Sequence, residues 1–326
     1  MDRSTKGDDV RRARVVTATA LGAALLSACV RPVDVEPTGP TTPVVSTQTP
    51  ASTSSSSGTS SPSLHETDLP STLRVAISFD QPGVGLREGD TYSGLDVDVA
   101  RYIARHLGID RISFVEGKTD QRETLLATGQ ADLVLSSYSI TPERRDEVTF
   151  AGPYLTTGQD LLVSSRSTIR SPGQLRGFTV CSVQGSTSTS ELVDDHPGLH
   201  LTVQPRVSDC VKLLEEGKVK AVTSDAAILA GFARRSRAPD KLRLSGHSFA
   251  RERWGVAMRP ADSALCEDVS AALEDMVDSG AWKKAVRSNL ATSMLPTSTL
   301  RPPKLQDCPP PPASESSSSS VTSGTS

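Results

Sequence analysis

Residues 125–137 read LLATGQADLVLSS, and residues 213–225 read LLEEGKVKAVTSD. Set in register, the leucine pair, Gly129 with Gly217, Val134 with Val222, and Ser136 with Ser224 recur at one offset. Each copy reads as the end of a helix, a glycine that stops it, a buried strand, and polar residues at the strand's carboxyl end. A repeated helix–strand unit predicts two similar α/β lobes. Open parallel sheets bind ligands beyond the carboxyl ends of their strands. Two lobes facing each other across a cleft therefore bring Ser137 of one copy towards Asp225 of the other.

The flanking sequence continues the alternation. Leu73–Ser78 (LRVAIS) is an apolar strand bounded by polar turns. From Asp96 to Leu107, Val97, Ala100, Ile103, Ala104 and Leu107 fall at helical spacing, and Gly108 ends the run. Ile112–Val115 is a strand, a helix starts at Thr119 or Asp120 and runs through Leu126, and Ala131–Leu135 is a strand. In the second set, Phe178–Val183 is a strand, a helix follows from Ser190, and Leu201–Pro205 is a strand. Ser208–Glu216 is then a helix and Val219–Thr223 a strand. Such alternation predicts an α/β fold with a mixed, mostly parallel sheet flanked by helices in each lobe.

The ends have another character. Arg3, Lys6, Arg11, Arg12 and Arg14 precede a short apolar run, Val15 to Leu26, too short to span a bilayer. Leu26-Ser27-Ala28-Cys29 closes it and matches the bacterial lipobox. Residues 1–28 are thus expected to be a signal peptide, with Cys29 carrying lipid on its sulfur and anchoring the chain on the extracytoplasmic face of the cell membrane. An ordinary signal peptide with an incidental cysteine is the alternative. Residues 29–67 are Pro, Ser and Thr with almost nothing to bury, a disordered tether with a reach of roughly 30–40 Å. Residues 301–326 repeat that composition and are expected to form a disordered tail.

Five cysteines are present. With Cys29 lipidated four remain, and an oxidising compartment permits two disulfides. Cys181 lies in a strand-like run and Cys210 opens a helix-like one in the same segment, so Cys181–Cys210 is the favoured pair. Cys266–Cys308 would tie the tail to the last helices. Free buried thiols are the alternative. The formal net charge is -3 and aromatic residues make up 4%, so neither a basic stripe nor a stacking platform for nucleic acid exists. No His/Cys pair has zinc-ligand spacing, and no metal or cofactor is expected. No heptad or exposed apolar stripe is visible, which makes a monomer the expectation.

The sharpest chemistry lies in Ser136-Ser137-Tyr138-Ser139-Ile140-Thr141-Pro142-Glu143-Arg144. Thr141 suits a helix N-cap and Pro142 the first helical position. Arg144 falls in that first turn, where a guanidinium grips a carboxylate through two parallel hydrogen bonds. Ser137 and Ser139 add neutral donors and acceptors. Pairing of Arg144 with Glu143 or Asp146 on the surface is the alternative. In the second set, Gln184-Gly185-Ser186-Thr187 lies between a strand and a helix, where hydroxyls and N–H groups suit an anionic oxygen. Asp225 ends the repeated strand and is a partner for an ammonium, or else only the N-cap of the next helix.

These residues also carry a resemblance. Phe79-Asp80-Gln81-Pro82-Gly83, Gly94-Leu95-Asp96-Val97-Asp98-Val99-Ala100 and Ser139-Ile140-Thr141-Pro142-Glu143-Arg144-Arg145 occur in order. Phe150-Ala151-Gly152-Pro153-Tyr154, Gly185-Ser186-Thr187 and Ser224-Asp225 follow. From about Leu73 to Leu290 the chain resembles the polar amino-acid binding proteins of bacterial ABC importers, with the two-lobed periplasmic-binding-protein type II fold. Within them it is most similar to the glutamate-binding lipoproteins of actinobacteria. The resemblance implies that Arg144 binds the ligand α-carboxylate with help from Ser139 and Thr187, and that Asp225 and Ser137 hold the α-ammonium. Ser186 and Asp80, which lie in two of these motifs, are further candidates. It implies two crossings between lobes, near Leu162–Ser165 and Phe249–Val256. Lobe one then comprises residues 68–163 and 249–300, the latter with the C-terminal helices, and lobe two residues 164–248.

Such glutamate binders often carry Lys where this chain has Ser78, so the cation for a side-chain carboxylate must come from elsewhere. Arg122 is the candidate, with Arg87 behind it. Pairing of Arg122 with Glu123 or Asp120 is the alternative, and aspartate, glutamine or asparagine stay open beside glutamate. The expected partners are a membrane permease and ATPase that accept the closed, loaded form. A lipoprotein that reports amino-acid levels to a membrane sensor or kinase is the second reading. A dehydratase on the same fold is the remote third, with Glu191 the one acid to test, and no enzyme activity is expected.

Overall fold

The computed structural model describes residues 70–237 and 241–310. The signal peptide, Cys29, the tether and residues 311–326 lie outside the described residues. The first lobe opens with β1 (Leu73–Ile77), whose apolar side chains are almost wholly buried, followed by a small antiparallel sheet of β2 (Asp80–Gln81), β3 (Gly85–Glu88) and β4 (Thr91–Ser93). Helix α1 (Leu95–His106) starts and ends one residue earlier than its spacing predicted. It carries Asp96 and Asp98 in its first turn and Arg105 and His106 in its last, matching the helix dipole. Strand β5 (Ile112–Glu116), helix α2 (Arg122–Ala127) and β6 (Leu133–Val134) follow. Helix α2 starts later than expected, because Thr119, Asp120 and Gln121 form a turn rather than a cap.

Helix α3 (Pro142–Arg145) begins where the cap chemistry placed it: the Thr141 hydroxyl accepts from the Arg144 N–H, and Pro142 occupies the first position. The long β7 (Thr149–Ser164) then leaves the first lobe. The second lobe contains β8 (Thr179–Val183), α4 (Thr187–Asp195), β9 (His200–Gln204), α5 (Val207–Glu215), β10 (Ala221–Asp225), α6 (Ala226–Arg235) and β11 (Leu242–Leu244). Helix α4 starts at Thr187 rather than Ser190, because the Ser186 hydroxyl caps it by accepting from Thr189 N–H. Strand β12 (Ala250–Met258) returns, and α7 (Ser263–Asp278) and α8 (Ala281–Asn289) close the first lobe.

Among the described residues nine strands form one sheet in the order β5-β1-β6-β12-β7-β10-β8-β9, with β11 also paired to β7. Pairing is parallel within each lobe, between β5, β1 and β6 and between β10, β8 and β9. The antiparallel β7 and β12 join the two halves. Near its start β7 faces the end of β12, where Ala257 pairs with β6; from Gln159 onwards it pairs with β10. Gln159 pairs with Ala250 of β12 on one side and Asp225 of β10 on the other, so β7 is shared by both halves of the sheet. The register slips between Trp254 and Val256. Gly255 sits in that slip, where an added Cβ would come within 2.8 Å of Ile140 and Phe150, so only glycine lets the crossing strand pass this closely.

Helices α1, α7 and α8 pack against one another over the first lobe, burying Leu95, Ile103, Leu273 and Trp282. Trp282 donates its indole N–H to the carbonyl of Tyr154 at 2.7 Å and so fixes α8 to β7. Both cysteine pairs form disulfides, with Cα separations of 5.4 Å for Cys181–Cys210 and 6.0 Å for Cys266–Cys308. The second holds residues 301–310 in place, where a disordered tail was expected from residue 301. Gln306 N–H also donates to Gly152 O at 2.7 Å. No described helix is long and apolar enough to cross a membrane.

Candidate functional site

The two copies of the repeated unit end on opposite walls of one cavity of about 30 Å³. Gln81, Thr119, Arg122, Ser137, Ser139 and Arg144 line it from the first lobe, and Ser186, Thr187, Ser188, Ser224 and Asp225 from the second. Arg122, Ser137, Ser139, Arg144, Ser186, Thr187 and Asp225 are thus brought together. Asp80 is not among them. Its carboxylate accepts from Ser208 N–H at 3.0 Å in an adjoining recess, and its neighbour Gln81 reaches the cavity instead. Arg87 lies outside too, its guanidinium 5.5 Å from the Phe79 ring centre. Glu191 does not line the cavity either.

After β6 the chain turns sharply, with Ser136 and Ser137 both left-handed at φ 42° and 46°. Residues with side chains rarely hold that conformation unless their surroundings enforce it. Here the Ser136 hydroxyl donates to Gly117 O at 2.6 Å, and Ser137 N–H donates to the buried carboxylate of Asp96 at 3.0 Å. Asp96 also accepts from the Tyr154 hydroxyl at 2.7 Å. Burial drives its pKa up to about 7 against the pull of those two donors. The turn aims the Ser137 hydroxyl at Gln81 Oε1, 3.2 Å away.

Tyr138 is the hub of the positive wall. The Arg122 guanidinium carbon lies 4.0 Å and that of Arg144 4.9 Å from its ring centre, both within cation–π range. The tyrosine hydroxyl donates to Glu123, and the charges of Glu123 and Asp225 reach Arg122 without forming a salt bridge with it. Arg122 is 3% exposed and bonds only to backbone carbonyls, Thr119 O at 3.0 Å and Ser136 O at 3.4 Å. Burial, then repulsion from Arg144, pushes its pKa down to about 10. Arg144 donates to Ser139 O at 2.8 Å and, across the cleft, to Gly185 O at 3.1 Å. Neither arginine forms a salt bridge among the described residues, so the alternative pairings, Arg144 with Glu143 or Asp146 and Arg122 with Glu123 or Asp120, are not made.

On the other wall Asp225 stands at the N-cap position of α6 without capping it. Its carboxylate instead accepts from the indole N–H of Trp254. Burial and then the negative charge of Glu252 raise its pKa well above the usual carboxylate range, opposed by Trp254 and the two arginines. The Ser186 hydroxyl lies 3.0 Å from that of Thr189, which donates to Val183 O at 2.7 Å, and Thr187 and Ser188 at the start of α4 line the cavity. Among the described residues no cluster of His, Cys, Asp and Glu is placed to hold a metal ion.

This arrangement matches known proteins. The pattern described as bacterial extracellular solute-binding proteins, family 3, matches residues 73–291. The glutamate-binding protein GluB of Corynebacterium efficiens is 36% identical over 230 residues, 67% of this chain and 78% of that one. The ABC transporter glutamine-binding protein GlnH of Bacillus subtilis is 32% identical over 192 residues, 58% of this chain and 69% of that one. An ancestral arginine-binding protein bound to glutamine superposes with a TM-score of 0.65 at 28% identity, covering 69% of this chain and all, 100%, of that one. With the matched region running from β1 past α8 and enclosing both walls of the cavity, the chain belongs to the family 3 bacterial extracellular solute-binding proteins.

Proposed function

We propose that this protein captures an acidic amino acid, glutamate before aspartate, on the extracytoplasmic side of the membrane and presents it to an ABC permease and ATPase. One observation carries the choice of an acidic ligand: the cavity holds two guanidiniums and one carboxylate, and Arg122 is buried there without a carboxylate partner. A buried charge left unpaired is unfavourable, so a ligand that supplies the missing carboxylate gains more than a neutral one. Arg144, with Ser139 and Thr187, takes the α-carboxylate. Asp225 and Ser137 take the α-ammonium, and Arg122 takes the side-chain carboxylate. Ser186 and Gln81 border the ligand. The names of the relatives, glutamate-binding and glutamine-binding, agree with a ligand of this size and shape.

A cavity of about 30 Å³ admits a water or two rather than an amino acid. Entry therefore requires the lobes to part about β7 and β12, and the ligand then favours the closed form because only that form engages both walls. Anchorage through Cys29 would hold the protein beside its permease. The test is calorimetric titration of the protein with all twenty amino acids. Glutamate is expected to bind more tightly than glutamine by about tenfold or more, as a charge-assisted pair requires. A response confined to glutamine and asparagine would remove Arg122 from the ligand, and none at all would sink the reading.

A further inference from the structure

Behind Asp225 the sheet carries a buried polar face that the proposed ligand contacts do not use. Asp225 pairs across strands with Gln159 of β7, and Thr157, two residues earlier on β7, pairs with Glu252 of β12. Directly opposed and alternate residues share one face of a sheet, so Thr223, Asp225, Gln159, Thr157 and Glu252 lie together. Every one of them is buried, Gln159 completely. The Gln159 amide donates to Glu252 Oε1 at 2.6 Å, while its own Oε1 has no donor. Thr157 Oγ1 and Thr223 Oγ1 also lack partners among the described residues.

The charge of Glu252 on the same buried face opposes ionisation of Asp225, and a proton held by Asp225 supplies the donor that the orphaned Gln159 Oε1 lacks. The Gln159 amide lies between them, bonded to Glu252 on one side and standing opposite Asp225 on the other. We propose that Asp225, Gln159 and Glu252 form a proton-holding extension of the ammonium site, in which Asp225 keeps a proton directed at Gln159 Oε1 until an amino acid arrives. Capture of the ligand is then an exchange: the ammonium enters with its three protons and its positive charge, and the carboxyl proton of Asp225 leaves to solvent. Gln159 and Glu252 are positioning residues, acting on the ligand through Asp225.

The charges facing Asp225 are consistent with this balance. Glu252 from β12 opposes its ionisation, and Arg144 and Arg122 from the first lobe favour it. Tyr154 of β7 lies within reach of its charge, and Glu191 of α4 lies within reach of the charge of Glu252. None of the described histidines lines the cavity, so a proton exchanged on binding does not come from imidazole there.

This inference rests on the functional reading above, and one experiment separates the two. Calorimetry of the full chain with glutamate, from about pH 5.5 to 8 in buffers of contrasting ionisation enthalpy, counts the protons exchanged; glutamate itself keeps its charge over that range. Release approaching about one proton at the acid end is expected, with the dissociation constant rising up to about tenfold per pH unit as the pH falls. In Glu252→Gln the like charge is gone while the burial of Asp225 remains, so proton release at the acid end should fall and the acid weakening should become shallower, and an unchanged release would overturn the role given to Glu252. The wild-type measurements stand alone if that variant does not fold. Tight binding with no proton exchange at any pH overturns the proposal while leaving the functional reading intact. Failure of every amino acid to bind overturns both.

Discussion

Arg144 and Gly185 are joined across the cleft by a hydrogen bond of 3.1 Å from the arginine Nη2 to the glycine carbonyl oxygen. A guanidinium at a helix N-terminus is thus held by two neutral carbonyls, Gly185 and Ser139, rather than by a carboxylate. A ligand carboxylate exchanges both for charge-assisted, bidentate bonds. Arg144→Ala should therefore weaken amino-acid binding by about 100-fold or more, the range expected when one partner of a buried charge pair is truncated. Because Arg144 makes no ion pair within the described residues, the melting temperature should change little. Arg144→Lys should recover only part of the affinity, since an ammonium cannot reproduce the fork. Calorimetry with thermal melts of the same samples checks all three.

Arg122 sets the side-chain preference in this reading. Arg122→Met keeps the bulk against Tyr138 and removes the charge. Glutamate affinity should fall by about 100-fold while glutamine affinity moves by no more than about fivefold, the difference expected for loss of a buried charge-assisted bond. The variant should fold as well as the parent, because the guanidinium it replaces is buried without a carboxylate partner. Equal losses for the two amino acids would place Arg122 behind the site rather than on the ligand.

Much of this was legible from local chemistry. The repeat at residues 125–137 and 213–225 marks the two strands that end at the cleft, and Thr141-Pro142 marks the start of α3, because caps and strand ends are short-range devices. Other features depend on partners far along the chain. Nothing near Ser136 and Ser137 announces their left-handed turn, which Asp96 secures from 41 positions away. The Gln159–Glu252 bond spans 93 positions and exists only through the registers of β7 and β12. Helix α4 begins three residues early because Ser186-Thr187-Ser188-Thr189 has capping chemistry but no apolar period to read.

Closure is reinforced away from the ligand. Arg206, just before α5, meets Glu116 at the end of β5 through bonds of 2.5 and 2.9 Å, and Asp80 accepts from Ser208 beside it. Both contacts join one lobe to the other. The ion pair is about a third exposed on each side, so its contribution is modest and screened by salt. Glu116→Gln should raise the dissociation constant by about two- to fivefold through faster release, with the difference vanishing at high salt. Stopped-flow release measured at two salt concentrations resolves it.

The disulfides should separate stability from binding. Closing a loop of 29 residues at Cys181–Cys210 or 42 at Cys266–Cys308 stabilises by about 3–4 kcal/mol in the chain-entropy picture. Replacing both cysteines of either pair by alanine should lower the melting temperature by about 10 °C, given about 2–4 °C per kcal/mol at this size. Loss of Cys266–Cys308 frees a segment that lines neither wall of the cavity, so ligand affinity should change little.

Stability should rise as the solution is acidified from pH 8, the reverse of the usual acid sensitivity of paired carboxylates. Asp96 has its pKa raised to about 7, chiefly by burial, and burial is the first cause of the upward shifts of Asp80, Asp225, Glu191 and Asp268 as well. A carboxyl whose folded pKa exceeds its unfolded value takes up a proton on folding between the two. For Asp96 the destabilisation is complete above about pH 7 and fades as the pH falls towards about 4, a range of a few kcal/mol at most. Glu143 and Glu216 shift the other way, but both are in solvent and offset little. Melts of the ligand-free protein should thus show a higher transition temperature at pH 6 than at pH 8. In Asp96→Asn the amide oxygen still accepts from Ser137 and its NH₂ turns to the Tyr154 oxygen, so the turn at Ser136–Ser137 survives. That variant should melt higher than the parent at pH 8 and lose much of the pH dependence. A parent that melts lower at pH 6 than at pH 8 would mean that Asp96 stays ionised, its two donors outweighing burial.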